Sequence, residues 1–162
     1  MKAAILEELG KISIIEKPRP EIGPDEALVK VDSCGICGSD LHGYLDGSII
    51  QVGTIMGHEC SGVVAEIGNH LTKFQPGDRV VVKPYFECGN CYWCKNGQAE
   101  LCAHLVENFI GNSPKTDGAF ADFLKISHPQ KMLFKLPPAV SLQDAALIEP
   151  LATSFHSIRI SD

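Results

Sequence analysis

Gly62-Val63-Val64-Ala65-Glu66-Ile67 and, beyond the turn Gln75-Pro76-Gly77-Asp78, Arg79-Val80-Val81-Val82 decide the fold class of this chain. β-Branched residues dominate both runs, and the Pro-Gly punctuation between them predicts two strands joined by a turn. The same pattern continues outward. Upstream, Ala27 to Asp32 reads as a strand, and Ala3 to Leu6 with Lys11 to Glu16 as a hairpin turning at Leu9-Gly10. Lys17 to Asp25 carries Pro18, Pro20, Gly23 and Pro24, which sustain neither ladder nor helix, and is a loop. Downstream, Ala119 to Ile126 and Met132 to Leu136 read as two further strands divided by Ser127-His128-Pro129. Ser141-Leu142-Gln143-Asp144 has the form of a capping box, opening a helix expected to reach about Glu149 before Pro150 breaks or kinks it. Gly43 to Gly57 is Gly-punctuated and is expected to be an exposed loop. Short strands at regular spacing with little helix predict a mainly β domain, a barrel or a sandwich.

The 162 residues suit one domain with a real hydrophobic core. The net charge of −6, with lysines and arginines scattered, leaves no basic footprint, so neither nucleic acid nor an anionic membrane is an expected partner. Met1 to Glu8 meets acidic residues before any signal-like apolar run, and no segment approaches membrane-spanning length; a cytoplasmic protein is expected.

In a reducing compartment, seven cysteines point to metal or catalysis, and not to disulfides. Cys88, Cys91, Cys94 and Cys102 form C-x2-C-x2-C-x7-C. Four thiolates satisfy the tetrahedral preference of zinc and leave no open position, which predicts a structural site in a lobe at about 86–104. Gly89, Asn90, Asn96 and Gly97 suit its tight turns. A second grouping opens in Cys34-Gly35-Ile36-Cys37-Gly38-Ser39-Asp40-Leu41-His42, directly after a strand. Cys37, His58, Glu59 and Glu149 make a mixed set of lower charge than four thiolates, the kind that leaves a coordination position for water or substrate. Spacing alone leaves other readings open: Cys37 as a small buried thiol, His58 as a strand-edge residue, Glu149 as a charge near a helix end. Cys34 and Cys60 read as small buried thiols. His70, His104, His128 and His156 lack ligand spacing.

The string Gly35 to His42, followed by Gly57-His58-Glu59, Pro76-Gly77-Asp78-Arg79-Val80, the four-cysteine lobe and Ile148-Glu149-Pro150-Leu151, resembles the zinc-dependent medium-chain alcohol dehydrogenases, nearest to their polyol, secondary-alcohol and threonine branches. The resemblance spans essentially the whole chain, in the family's order. It implies a GroES-like, partly open β-barrel over residues 1–150, with residues 151–162 as the stub of the helix that leads to a cofactor domain. It also implies two zinc ions per chain, one structural and one catalytic, the latter on Cys37, His58, Glu59 and Glu149. Ser39 matches the hydroxyl that contacts the substrate oxygen, His42 a histidine further out on the proton path, and Asp40 the carboxylate that orients the ligand histidine. The implied activity is hydride transfer between an alcohol or polyol and NAD or NADP, in a full-length homodimer or homotetramer. Zinc has no redox chemistry of its own, so the nicotinamide must accept the hydride. G-x-G-x-x-G and βαβ alternation are missing from the sequence. The chain is therefore read as a fragment of a longer dehydrogenase, expected to be inactive alone. The contrasting expectation is a non-enzymatic zinc-binding interaction module on the same scaffold.

Overall fold

The computed structural model describes residues 1–161. Along the chain run β1 (Lys2–Glu8), β2 (Lys11–Glu16), β3 (Ala27–Gly35), α1 (Gly38–Asp46), β4 (Glu59–Ile67), β5 (Arg79–Val82) and α2 (Tyr92–Lys95). A 3-10 turn, Ala99–Leu101, precedes β6 (Phe123–Ile126), α3 (Pro129–Met132), β7 (Leu133–Lys135), α4 (Leu142–Ala145) and α5 (Ile148–Ser161). Strands β6-β3-β4-β5-β7 form one antiparallel sheet, and β1-β2 a separate hairpin. The mainly β class holds, with two open sheets and no closed barrel among the described residues.

The β4–β5 hairpin forms as the alternation and the turn chemistry require. Asp78 N–H donates to the Gln75 carbonyl (3.1 Å), the Asp78 carboxylate accepts from Gln75 N–H (2.8 Å), and Gly77 takes φ +93°, which a side chain would strain. Val29, Val64, Val80, Val82, Leu124 and Leu133 meet beneath the larger sheet, each at most 1% exposed. Each gains about 1.5–3 kcal/mol over exposure. On the other face α4 is held down by Ser61, whose hydroxyl donates to the Leu142 carbonyl at 2.5 Å. Gly62 sits where a Cβ would run into the Lys30 carbonyl, so the β3–β4 approach requires glycine.

Four expectations need correction. Ile50, Ile55 and Met56 are 1% exposed, so the 43–57 segment is not simply a surface loop; Ile50 and Met56, with Leu6 and Tyr44, make a second core under the hairpin. The strand at 119–126 shortens to Phe123–Ile126, because Phe120 and Asp122 bond to β1 instead. The strand expected from Met132 starts at Leu133, because Pro129 opens the short helix α3. Pro150 does not break a helix. The helix is interrupted earlier, between Ala145 and Ile148, and Pro150 lies in the first turn of α5, where its missing N–H has no intrahelical acceptor to serve.

Asp78 also takes Lys135 Nζ at 2.8 Å across the β5–β7 edge, and this bond, with the Gln75 N–H, holds its carboxyl below the usual range. A depressed pKa stabilises the fold above the unfolded value of about 3.9 and is lost as pH falls through the folded one. Asp78→Asn should therefore cost about 0.5–1 kcal/mol at pH 7, modest because Lys135 faces water, and progressively less at a pH below about 3.9. Urea unfolding at both pH values measures it.

Candidate metal centre

The register of β3 on β4 builds the first donor set. The pairing shifts between Val31 and Ser33, so that beyond the irregularity Cys34 faces Cys60 and Gly35 faces Glu59. Cys37, two residues past the end of β3, thereby meets His58, one residue before β4. One donor atom each of Cys37, His58 and Glu59 lies within 4.8 Å of the others. Gly35 has no Cβ, and the Glu59 carboxylate folds over the space. His58 and Glu59 are buried, Cys37 half-buried.

Asp40 joins the two segments. It lies 2% exposed in the first turn of α1, and accepts from Cys37 N–H at 2.9 Å and Gly57 N–H at 3.3 Å. The expected link to the imidazole is not a hydrogen bond here: Asp40 Oδ1 stands 3.9 Å from His58 Nδ1, which is buried without any partner. The carboxylate instead ties together the backbones that carry Cys37 and His58.

Glu149, in the first turn of α5, lies outside the three-residue set. It lines a cleft of about 700 Å³ with Val82, Tyr85, Phe134, Ile148 and His156. Burial pushes its carboxyl up, His58 opposes this and Glu59 adds to it, so Glu149 is near enough to feel both donors. Ser39 and His42 stand three residues apart on α1, hence on one side of the helix; Ser39 is half-buried and His42 exposed. Cys60 is fully buried, with its thiol pushed well up by burial; Cys34 opposite it goes to about 12, by burial first and then by the Asp40 charge. Two residues lacked any signal in the sequence. The Phe109 ring meets the His58 ring at 5.2 Å and 72°, and stacks on Tyr85 at 5.9 Å.

The second set is the lobe. Cys88, Cys91, Cys94 and Cys102 offer sulfurs all within 4.8 Å of one another, with Cys88 and Cys94 at 4.0 Å. Thiolates around zinc, at Zn–S of about 2.3 Å, stand about 3.8 Å apart, so the arrangement fits that ion. Backbone N–H groups point at the sulfurs: Asn90 and Cys91 donate to Cys88 Sγ, each at 3.4 Å, and Cys88 donates to Cys102 Sγ at 3.4 Å. The N–H groups of Cys94 and Ala103 bring the Cys91 thiol down to about 6, and those of Asn90 and Cys91 lower Cys88, which favours the ligating form of these two, whereas burial and the neighbouring sulfurs push the Cys94 thiol up to about 12. Gly89 and Gly97, both at φ +76°, let the loop fold back.

Of the remaining histidines, His70 pairs with Asp25 and His104 with Glu107, each at 3.1 Å, and His128 lies on the Phe86 ring. None joins a donor set among the described residues. No described helix is long and apolar enough to cross a membrane.

An open antiparallel β domain with one four-thiol lobe and one Cys-His-Glu set at a strand end has the organisation of a GroES-like catalytic domain, and the chain belongs to the zinc-dependent medium-chain alcohol dehydrogenase family. Residues 23–138 match the alcohol dehydrogenase GroES-like domain. Sorbitol dehydrogenase of Bacillus subtilis (strain 168) is 41% identical over 161 residues, covering 97% of this chain and 44% of its own length. Galactitol-1-phosphate dehydrogenase of Escherichia coli superposes with a TM-score of 0.90 at 31% identity, over 99% of this chain and 45% of that one. A protein of Sinorhizobium meliloti 1021, described as a zinc-binding dehydrogenase and solved with NADP bound, gives 0.88 at 36% identity, over 98% and 45%. The chain thus spans a little under half the length of these relatives.

Proposed function

We propose that this chain supplies the metal- and substrate-binding part of an oxidoreductase that moves a hydride between an alcohol or polyol and NAD or NADP. The observation that carries the reading is the convergence of Cys37, His58 and Glu59, with an orphaned buried imidazole nitrogen among them. The named relatives, a sorbitol and a galactitol-1-phosphate dehydrogenase, favour polyhydroxylated substrates.

In this reading Cys37, His58 and Glu59 hold the catalytic zinc, Glu149 is the acidic group that completes or exchanges into its shell, and the lobe cysteines hold a structural zinc. A zinc ion in the first site supplies Lewis acidity, of the kind that takes the pKa of water from about 15.7 to about 7. Ser39 Oγ takes the proton of the substrate hydroxyl as its own hydroxyl proton moves on towards His42. His42, one helical turn further and open to solvent, passes it to water. Asp40 keeps the two ligand segments at fixed separation. Tyr85, Phe134 and Ile148 give the cleft beside Glu149 apolar walls. Residues 1–162 carry no dinucleotide fingerprint, so the nicotinamide is bound by other parts of the whole protein. The whole protein is a cytoplasmic homodimer or homotetramer.

Elemental analysis tests the metal content. The chain should carry two zinc ions, and Cys37→Ser one. A parent with a single ion that survives in the variant would leave the lobe alone occupied and end the catalytic reading.

A further inference from the structure

Among the described residues no hydrogen bond fixes the orientation of the His58 ring. Its Nδ1 has no partner, and Asp40, the nearest carboxylate, bonds to backbone. What touches the ring is Phe109. Phe109 is itself held firmly. It pairs with Tyr85 as an isolated bridge and stacks on its ring, with Ile110 N–H donating to the Pro84 carbonyl at 2.8 Å and Asn108 Nδ2 to the Phe86 carbonyl at 3.1 Å. Thr116 Oγ1 adds a bond to the Phe109 carbonyl at 2.9 Å. These rungs are the neck of the lobe: Tyr85 is where the chain enters it and Phe109 where it leaves.

We infer that Phe109 is a positioning residue for His58, and that the closed neck of the four-cysteine lobe holds it against the imidazole. The edge contact sets the plane of the ring, and so the direction in which its nitrogen presents a lone pair to a metal. The inference rests on the reading of Cys37, His58 and Glu59 as a metal site. A lobe otherwise remote from the chemistry thereby acts on it, since both ends of its loop meet at the residue that backs the ligand.

The test titrates cobalt(II) into the chain already holding one equivalent of zinc, following both affinity and the visible d–d bands, which report ligand geometry. The parent should take one cobalt ion. Phe109→Leu should weaken it about tenfold, the scale of losing a group that orients a ligand, and shift the bands. Phe109→Tyr, which keeps the ring, should restore both, whereas a merely structural loss would leave the bands in place. Far-UV circular dichroism and the retained zinc check folding; if Phe109→Leu loses the zinc, the same comparison is read from Phe109→Met. A variant without the ring that binds cobalt with the parent's affinity and bands overturns the inference. A parent that takes no cobalt overturns the metal reading, and the inference with it.

Discussion

Replacing Cys91 by serine, or stripping metal with a chelator, should open the lobe while the five-stranded sheet stays folded. No residue from Glu87 to Leu101 is buried, and α2 and the 3-10 turn bury nothing. The hydrophobic effect therefore has almost nothing to act on there, and the thiol cluster and the neck close the loop, with the Lys131 ammonium donating to the Glu87 carbonyl at its base. Structural zinc in comparable small sites contributes on the order of 10 kcal/mol, binding energy that appears directly as folding energy. With one ligand gone the bond after Lys95, on the exposed end of α2, should become a trypsin site. Cleavage there should run at least about a hundredfold faster than in the parent, because the local opening energy falls by several kcal/mol. The core beneath the sheet lies outside the lobe, so the main unfolding transition should move little. Unchanged trypsin resistance in Cys91→Ser would mean that something other than the cysteines holds the lobe.

The second large effect is expected at Asp40. Its carboxylate is buried, yet it accepts from two backbone N–H groups and sits at the positive end of a nine-residue helix, which together offset the cost of burying the charge. Asp40→Asn keeps the shape but turns one acceptor into a donor, which then faces either Cys37 N–H or Gly57 N–H. Losing a charge-assisted bond and confronting two donors should cost about 2–4 kcal/mol. Urea unfolding of the metal-free chain would show it as a lower midpoint with the slope unchanged. Because those two N–H groups belong to the segments carrying Cys37 and His58, zinc affinity at that set should fall by about ten- to a hundredfold as well. If only the affinity falls and stability does not, Asp40 acts on the metal through charge and not as a backbone tie.

The strands were legible where local propensity and turn chemistry agree. Lys11–Glu16 and Arg79–Val82 fall where alternation, Leu9-Gly10 and Gln75-Pro76-Gly77-Asp78 place them. The capping contact of Ser141 with Asp144 forms at 3.0 Å for the same local reason. Clustering of the lobe cysteines was legible too, because C-x2-C turns bring ligands together within a few residues. Tertiary structure decided what depends on pairing between distant segments. The shift in the β3–β4 register fixes how Cys37 meets His58 and Glu59, and it leaves no trace in the residues on either side. Burial of Ile50, Ile55 and Met56 depends on the hairpin closing over them, a contact that Gly-rich punctuation does not announce. Asp40 bonds to backbone and not to the imidazole because the first turn of α1, where it lies, points its carboxylate at the N–H groups of Cys37 and Gly57. Phe109 reaches that histidine only because the lobe returns the chain to Tyr85. A sequence pattern records what each residue prefers beside its neighbours; the site is made by which strand ends are brought side by side.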